Sequence, residues 1–143
     1  MITAVDSSVI LDVLTEDPDH ADASEACLRQ ASAEGKLIIC ECVLAEIYPA
    51  VDSRQRAHEL MQDWQLDFMP STTESAILAG KYFARYLSRR GPAKRIVADF
   101  LIGAHASVLA ERLLARDRGY LRDYFKDLDV WDPARTKSPK SRT

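Results

Sequence analysis

Short apolar runs alternate with longer segments of helical periodicity along this chain. The short runs are rich in Val, Ile and Leu and are followed by polar or turn-forming residues, which is typical of buried strands. The longer segments repeat apolar residues at the helical period, which is typical of amphipathic helices. Strands are predicted at 1–5, 37–40, 66–70, 112–116 and 128–131. Helices are predicted at 9–14, 19–33 and 43–48, where Pro49 ends or kinks the helix and a further helix follows to about 64. Further helices are predicted at 72–90, opened by a capping-box pattern at 71–74, from 95 to the turn before 112, and from 118 to about 126.

The order of these elements predicts the fold class. Strands that alternate with helices favour an α/β architecture, in which a mainly parallel sheet carries helices on both faces. The chain has 143 residues, which falls within the usual range of about 100–200 residues for one domain. We therefore predict a single domain over 1–133. The segment 134–143 contains Arg and Lys but no acid, and it is predicted to be a disordered tail.

The segment 95–117 contains a carboxylate inside an apolar helix. Asp99 is surrounded by apolar positions on nearly every side, and burying an unpaired charge is costly. Gly103 and Ala106 share its face of the helix, so another backbone or a ligand could approach closely there. Arg95, one turn earlier, could instead form an ion pair with Asp99. The pattern therefore indicates either a structural ion pair or a site that requires the negative charge.

Three further acids occupy comparable positions in the predicted elements. Asp6 follows the first predicted strand, Asp117 follows the fourth, and Glu46, like Asp99, is predicted in the first turn of an apolar helix. Because the carboxyl ends of parallel strands and the starts of the next helices share one sheet edge, the four acids could converge there. Plain alternatives exist, since Asp6 or Ser7 could simply cap a helix and Glu46 could be an ordinary exposed side chain.

A cluster of four acids has a definite chemical meaning. Like charges in one cleft repel and raise one another's pKa, and a divalent cation relieves that repulsion. Mg²⁺ and Mn²⁺ prefer oxygen ligands, and such ions suit the in-line hydrolysis of a phosphodiester. Cys40 and Cys42 lack a second ligand pair for zinc, so the cysteines are predicted to be reduced core thiols. The sequence also lacks a glycine-rich phosphate loop.

The overall charge limits how the chain could contact nucleic acid. A net charge of −3 excludes a generally basic nucleic-acid binder. A local basic stretch begins in the helix at 72–90, and it could be a solvated helix end or a rim that contacts RNA phosphates. The foremost candidates for RNA contact are Arg89, Arg90, Lys94 and Arg95. Without a signal sequence or a membrane-length apolar run, the predicted location is the cytoplasm.

Four segments together form a recognisable pattern. They are VDSSVILD at 5–12, LAEIYPAV at 44–51, RIVADFLIGAHA at 95–106 and LLARDRGYLRDYF at 113–125. With these segments the chain resembles PIN-domain ribonucleases, and more narrowly the VapC-like toxins of toxin–antitoxin pairs. The resemblance covers about 2–133 and implies a three-layer α/β/α sandwich.

The resemblance also implies residue roles and partners. It implies catalytic, metal-binding acids at Asp6, Glu46, Asp99 and Asp117, with a supporting hydroxyl at Ser7. The implied cofactor is Mg²⁺ or Mn²⁺, and the implied activity is endoribonuclease cleavage by a toxin that a cognate antitoxin blocks and that forms a homodimer. Such proteins often carry Thr or Ser two residues before the last acid, where this chain has Ala115. The alternatives are a housekeeping RNA-processing nuclease without an antitoxin, and a catalytically weak binding module.

Overall fold

The computed structural model describes residues 1–89, 96–116 and 119–134. The elements in these ranges follow the predicted order, with boundaries shifted by a few residues. The strands are β1 (Ile2–Val5), β2 (Lys36–Ile39), β3 (Leu66–Phe68), β4 (Arg112–Leu114) and β5 (Asp129–Trp131), and the helices are α1 (Ser7–Leu14), α2 (Ala21–Glu34), α3 (Glu41–Val51), α4 (Arg54–Asp63), α5 (Thr73–Arg89), α6 (Val97–Leu109) and α7 (Tyr120–Tyr124).

The strands form one parallel sheet in the order β3-β2-β1-β4-β5. From the central strand β1, the chain adds β2 and β3 on one side and then β4 and β5 on the other. The winding direction therefore reverses at β1, and in open α/β sheets ligands bind beyond the carboxyl ends of the strands at such a point. The fold is the predicted three-layer α/β/α sandwich. Asp6, the first residue after β1, lies at this switch point.

The central strands are buried on both faces because helices cover the sheet from both sides. In β2, Leu37, Ile38 and Ile39 are all buried, as expected for a continuous apolar run that does not alternate with polar residues. Strand β5 lies at the sheet edge, as predicted, and it pairs with β4. The apolar runs that predict the strands therefore form the centre of the hydrophobic core.

Helix α6 is held by aromatic packing against α5 and α7. The Phe100 ring lies 5.3 Å from Tyr124, 5.5 Å from Phe83 and 5.7 Å from Tyr86, measured between ring centroids. A Cβ added at Gly103 would overlap the Phe125 ring. The close approach that small residues on α6 allow is therefore made by an aromatic ring. This packing sets the position of the helix that carries Asp99.

Two helical glycines provide a matched test of this packing. We expect Gly103→Ala to lower the free energy of unfolding by about 1–3 kcal/mol, because the new methyl group must displace Phe125. Gly80 in α5 has open space where a Cβ would be. Gly80→Ala should therefore raise the free energy of unfolding by about 0.5–1 kcal/mol, because alanine has the higher helix propensity. Urea unfolding of both variants measures the difference. Equal effects would mean that Gly103 is not needed for the close approach of Phe125.

The start of α5 differs from the prediction made for it. The motif Ser71 to Glu74 predicts a capping box, but the reciprocal bonds join Thr72 and Ser75. The Ser75 N–H donates to Thr72 Oγ1 at 3.1 Å, and the Thr72 N–H donates to Ser75 Oγ at 2.9 Å. Ser71 is engaged elsewhere, since its N–H and Oγ donate to Glu41 Oε1 at 2.9 and 3.0 Å. A contact between distant segments therefore moves the cap by one residue.

Helix α3 continues through Pro49 to Val51, so the prediction that Pro49 would end or kink the helix is wrong about its end. Proline removes the donor that would bind the Ala45 carbonyl. Ala45 and Pro49 are both exposed, so water can replace the missing hydrogen bond.

His105 in α6 is buried beside the loop that follows β3. Its Nε2–H donates to the Met69 carbonyl at 2.6 Å. Burial lowers the pKa of His105, although the Met69 hydrogen bond and the Glu41 carboxylate partly offset this effect. The folded protein therefore favours the neutral ring more strongly than the unfolded chain does.

This pKa shift predicts a loss of stability in mild acid. Below the unfolded pKa of about 6.5, protons bind the unfolded chain more readily, so the free energy of unfolding should fall as pH decreases. Glutamine can still donate to the Met69 carbonyl but does not titrate, so His105→Gln should flatten this dependence. Urea unfolding between about pH 7.5 and about pH 5.5 measures both slopes. Parallel slopes would exclude His105 as the source.

Two predictions can be compared with the described ranges only in part. Most of the predicted tail, at 135–143, lies outside the described residues. Within the described ranges, no helix combines the length and hydropathy needed to cross a membrane.

Candidate acidic active site

Asp6 connects the central strand to α1 and has one oxygen available for a ligand. Its N–H donates to the Leu114 carbonyl at 2.9 Å, which joins it to the end of β4. Its Oδ2 accepts from the Ser8 N–H at 3.3 Å and from Ser8 Oγ at 2.5 Å, so Asp6 caps α1 as one alternative predicted. Its other oxygen, Oδ1, is buried and has no hydrogen-bond partner among the described residues. Capping thus uses one carboxylate oxygen and leaves the other for a ligand.

Ser7 connects Glu46 to this corner. Ser7 Oγ donates to Glu46 Oε1 at 3.0 Å, which brings α3 to the start of α1. Glu46 is exposed and lies in the second turn of α3, because that helix begins at Glu41. The expectation that Glu46 lies in a first turn is therefore corrected. Ser7, the hydroxyl predicted beside the first acid, donates to the second acid, and the Ser8 hydroxyl donates to Asp6.

Asp99 lies in the first turn of α6 and is half-buried. Its Oδ2 accepts from the Ile96 N–H at 3.3 Å. The far end of α6 leads into β4, and the Glu111 N–H donates there to the Ile2 carbonyl at the start of β1. The first turn of α6 therefore points toward the opposite, carboxyl edge of the sheet, and α6 contacts β1, β4 and α3.

Several of the predicted site residues lie outside the described ranges. They are Asp117, Arg90, Lys94 and Arg95, so the alternative of an Arg95–Asp99 ion pair is also outside them. Within the described part of the chain, no three His, Cys, Asp or Glu side chains are grouped to hold a metal ion. Among the described residues, Ser7, the neighbour of Asp6, is hydrogen-bonded to Glu46. Asp99 lies in the first turn of α6, toward the same carboxyl edge of the sheet.

The side chains present fit a hard divalent cation better than zinc. The three described acids offer only oxygen ligands, and Asp6 Oδ1 is a buried acceptor without a hydrogen bond. The thiols are unsuited to metal binding or nucleophilic chemistry, since burial raises the pKa of Cys42 to about 12 and also raises that of Cys40. All three cysteines are free, as predicted.

Sequence analysis missed an ion pair beside the acids. The Arg116 guanidinium lies 3.0 Å from Asp12 Oδ1, and Asp12 Oδ2 accepts from Ser24 Oγ at 2.8 Å. The Arg116 N–H also donates to Ser8 Oγ at 3.4 Å. Asp12 lies in the apolar helix α1, so the argument applied to Asp99 would have identified it from sequence.

The described part of the basic stretch does not form a purely basic groove. The Arg85 and Arg89 guanidinium groups lie over the rings of Tyr82 and Tyr124, at 5.1 and 5.2 Å. Both arginines line a cavity of about 750 Å³ between α5, α6 and α7. The acids Glu111, Asp123 and Asp127 line the same cavity and balance the charge. The geometry is the same for both arginines, and Arg89 is the RNA-contact candidate that lies within the described residues.

Comparison with known proteins identifies the family. A sequence model of the PIN domain matches residues 3–126 of the chain. The chain belongs to the PIN domain family. A search of curated protein sequences found no significant match.

Solved structures resemble this PIN domain over nearly its whole length. A chain of VapBC2 from Rickettsia felis, bound to a promoter DNA fragment, aligns with a TM-score of 0.70 and 17% identity, covering 92% of this chain and 98% of its own. A chain of VapBC-1 from nontypeable Haemophilus influenzae aligns at 0.66 and 14% identity, covering 94% and 100%. A chain of FitAcB from Neisseria gonorrhoeae aligns at 0.66 and 18%, covering 94% and 99%. At these identities the similarity demonstrates a shared fold.

Proposed function

We propose that this PIN domain is a divalent-metal-dependent endoribonuclease and the toxin of a toxin–antitoxin pair. PIN domains are nucleases as a family. The observation that carries the proposal is the position of Asp6, which is 2% exposed and lies at the switch point of the sheet with an unpartnered carboxylate oxygen. A buried anionic oxygen without a hydrogen bond is costly unless a cation binds it.

Each acid has a proposed role in this activity. Asp6, Glu46, Asp99 and Asp117 would hold Mg²⁺ or Mn²⁺, and such an ion supplies water activation and charge stabilisation for phosphodiester hydrolysis. Ser7 restricts Glu46 by donating to its carboxylate. Ser8 orients Asp6 so that Oδ2 caps the helix while Oδ1 stays available. Arg89, Arg90, Lys94 and Arg95 remain the proposed contacts to RNA phosphates.

The proposed partners are a cognate antitoxin and a second copy of this chain. The three solved structures described above contain VapBC or FitAcB assemblies, which supports an antitoxin partner here. An inserted Arg or Lys could pair with the acids and compete with metal. Large apolar side chains exposed on α5 and at the start of α6 support self-association, and they are Ile77, Leu87, Ile96 and Val97.

A cleavage assay tests the enzymatic part of the proposal. Single-stranded RNA and DNA of identical sequence would be incubated with the protein in Mg²⁺, in Mn²⁺ and in chelator. We expect metal-dependent cuts in RNA and none in chelator. Asp67→Asn, which changes an exposed acid on β3, serves as a control that should cleave normally. Cleavage that persists in chelator, or that occurs on the DNA and not on the RNA, would contradict the assignment as a metal-dependent ribonuclease.

Expression in cells tests the toxin part separately. Induced wild-type protein should arrest growth, and co-expression of a small protein encoded by a neighbouring reading frame should restore growth. Cleavage in vitro without growth arrest would instead indicate a housekeeping nuclease.

A further inference from the structure

Asp12, Arg116 and Ser24 form a polar cluster beneath the acidic site. The Asp12 side chain is 2% exposed, although it carries a charge on an apolar helix. Its two oxygens are both used, one by the Arg116 guanidinium at 3.0 Å and one by Ser24 Oγ at 2.8 Å. Ser24 belongs to α2 and is itself fully buried. The cluster therefore joins α1 and α2 to Arg116, which follows the carboxyl end of β4.

A second contact joins the same two segments through the backbone. Ser8 Oγ donates to Asp6 Oδ2 at 2.5 Å and accepts from the Arg116 N–H at 3.4 Å. Ser8 and Asp12 are one helical turn apart, so they lie on the same face of α1. Arg116 is thus held twice by α1, once at its backbone and once at its side chain. In the sequence, Arg116 directly precedes Asp117.

We propose that Asp12 and Arg116 form a positioning pair for the acidic site. The pair fixes Arg116, beyond the carboxyl end of β4, against α1 next to Ser8, which in turn holds Asp6. The inference rests on the proposed function, because it assigns the pair to a metal-binding site. Neither residue is proposed to bind the metal or the RNA.

The physical argument depends on burial and on the geometry of arginine. A guanidinium that binds a buried carboxylate is restricted both in its orientation and in its distance from the carboxylate. An exposed ion pair on the surface does not impose this restriction, because its side chains are mobile. The Arg116 side chain is 38% exposed, so it reaches from the site surface down to Asp12. Partners that orient metal ligands in this way typically contribute a factor of about 10–100 in metal affinity or activity.

Asp12→Asn is the main test, because the partly exposed Arg116 can then reach water while the amide retains the shape of the carboxylate. We expect the dissociation constant for Mn²⁺, measured by calorimetry without RNA, to rise by about 10–100-fold. We expect kcat for RNA cleavage to fall by a similar factor, with little change in KM. Ser24→Ala, which removes the hydroxyl bonded to Asp12, should show a smaller change in the same direction.

Glu34→Gln is the matched control. Glu34 pairs with Arg112 at the opposite end of the same strand, so this variant also weakens an ion pair of β4. It should lower the melting temperature and leave Mn²⁺ affinity unchanged. The double variant Asp12→Asn with Arg116→Gln should lose no more affinity than the more impaired single variant, because paired residues are not additive.

Different outcomes would overturn the inference in different ways. If Asp12→Asn melts earlier but binds Mn²⁺ like the wild type, the pair is structural only. If Arg116→Gln raises KM alone and weakens the salt dependence of RNA binding, Arg116 contacts RNA directly. If wild-type protein binds no Mn²⁺, or binds it equally well after Asp99→Asn, the proposed function fails and the positioning role fails with it.

Discussion

Asp6→Asn is expected to reduce RNA cleavage by roughly a thousandfold while the metal-free protein stays as stable as the wild type. A bound divalent ion contributes several kcal/mol to transition-state stabilisation, and each 1.4 kcal/mol is about tenfold in rate. Asparagine keeps an acceptor for the Ser8 N–H, so the α1 cap survives. The substitution removes a buried negative charge that has no ion-pair partner among the described residues of the metal-free protein.

Thermal unfolding in chelator and in excess Mn²⁺ measures the second half of this prediction. At about 100 times its dissociation constant, a bound ion stabilises the folded state by about 2.7 kcal/mol. We expect that gain in the wild type and its loss in both Asp6→Asn and Asp99→Asn. Asp6→Ala provides the control for capping, because it should also lose about 1 kcal/mol of metal-free stability. An Asp6→Asn protein that cleaves RNA at a near wild-type rate would exclude Asp6 from the site.

Arg112→Met is expected to cost about 3 kcal/mol of folding free energy, or roughly 10 °C in melting temperature. Arg112 is 0% exposed, and its guanidinium lies 4.6 Å from the centroid of the Trp131 ring. Its Nε donates to Thr3 Oγ1 at 2.9 Å and its Nη2 pairs with Glu34 Oε1 at 2.5 Å. Removing the guanidinium leaves the Thr3 hydroxyl without its donor and the Glu34 carboxylate without its cation. Because Glu34 is 29% exposed, water limits the cost to the lower part of the range for buried pairs.

Two further measurements define the role of Arg112. Lysine keeps the charge but lacks the planar group that stacks on Trp131, so Arg112→Lys should recover only part of the stability. The hydrogen bond from Arg112 holds the pKa of Glu34 below its usual range. The stability from this shift is present above the unfolded pKa, so the difference between wild type and Arg112→Met should narrow below about pH 4. A loss under about 1 kcal/mol at neutral pH would contradict the assigned role.

Much of the architecture followed from local patterns. The apolar run at 37–40 predicted a strand buried on both faces, and the alternation of strands with helices predicted the parallel sheet. The position of Asp6 directly after the first strand predicted both its helix cap and its place at the carboxyl edge of the sheet. These inferences succeeded because strand burial and helix starts depend on residues that are close together in the sequence.

Other features were decided by contacts between distant residues. The α5 cap moved from Ser71 to Thr72 because Glu41 of α3 engages Ser71. The face of α6 at Gly103 could have admitted a ligand, and it is filled by Phe125. In each case the sequence offered several acceptable partners, and packing selected one of them.

The sequence by itself determined which residues could carry charge to the carboxyl edge of the sheet, because strand ends and helix starts are encoded locally. Only the tertiary structure decided how those charges are held. It assigned Ser7 to Glu46 and Ser8 to Asp6, and it paired Asp12 with Arg116 across the chain. The physical reason is that a side-chain hydrogen bond forms within about 3 Å, and only the complete fold brings distant residues that close.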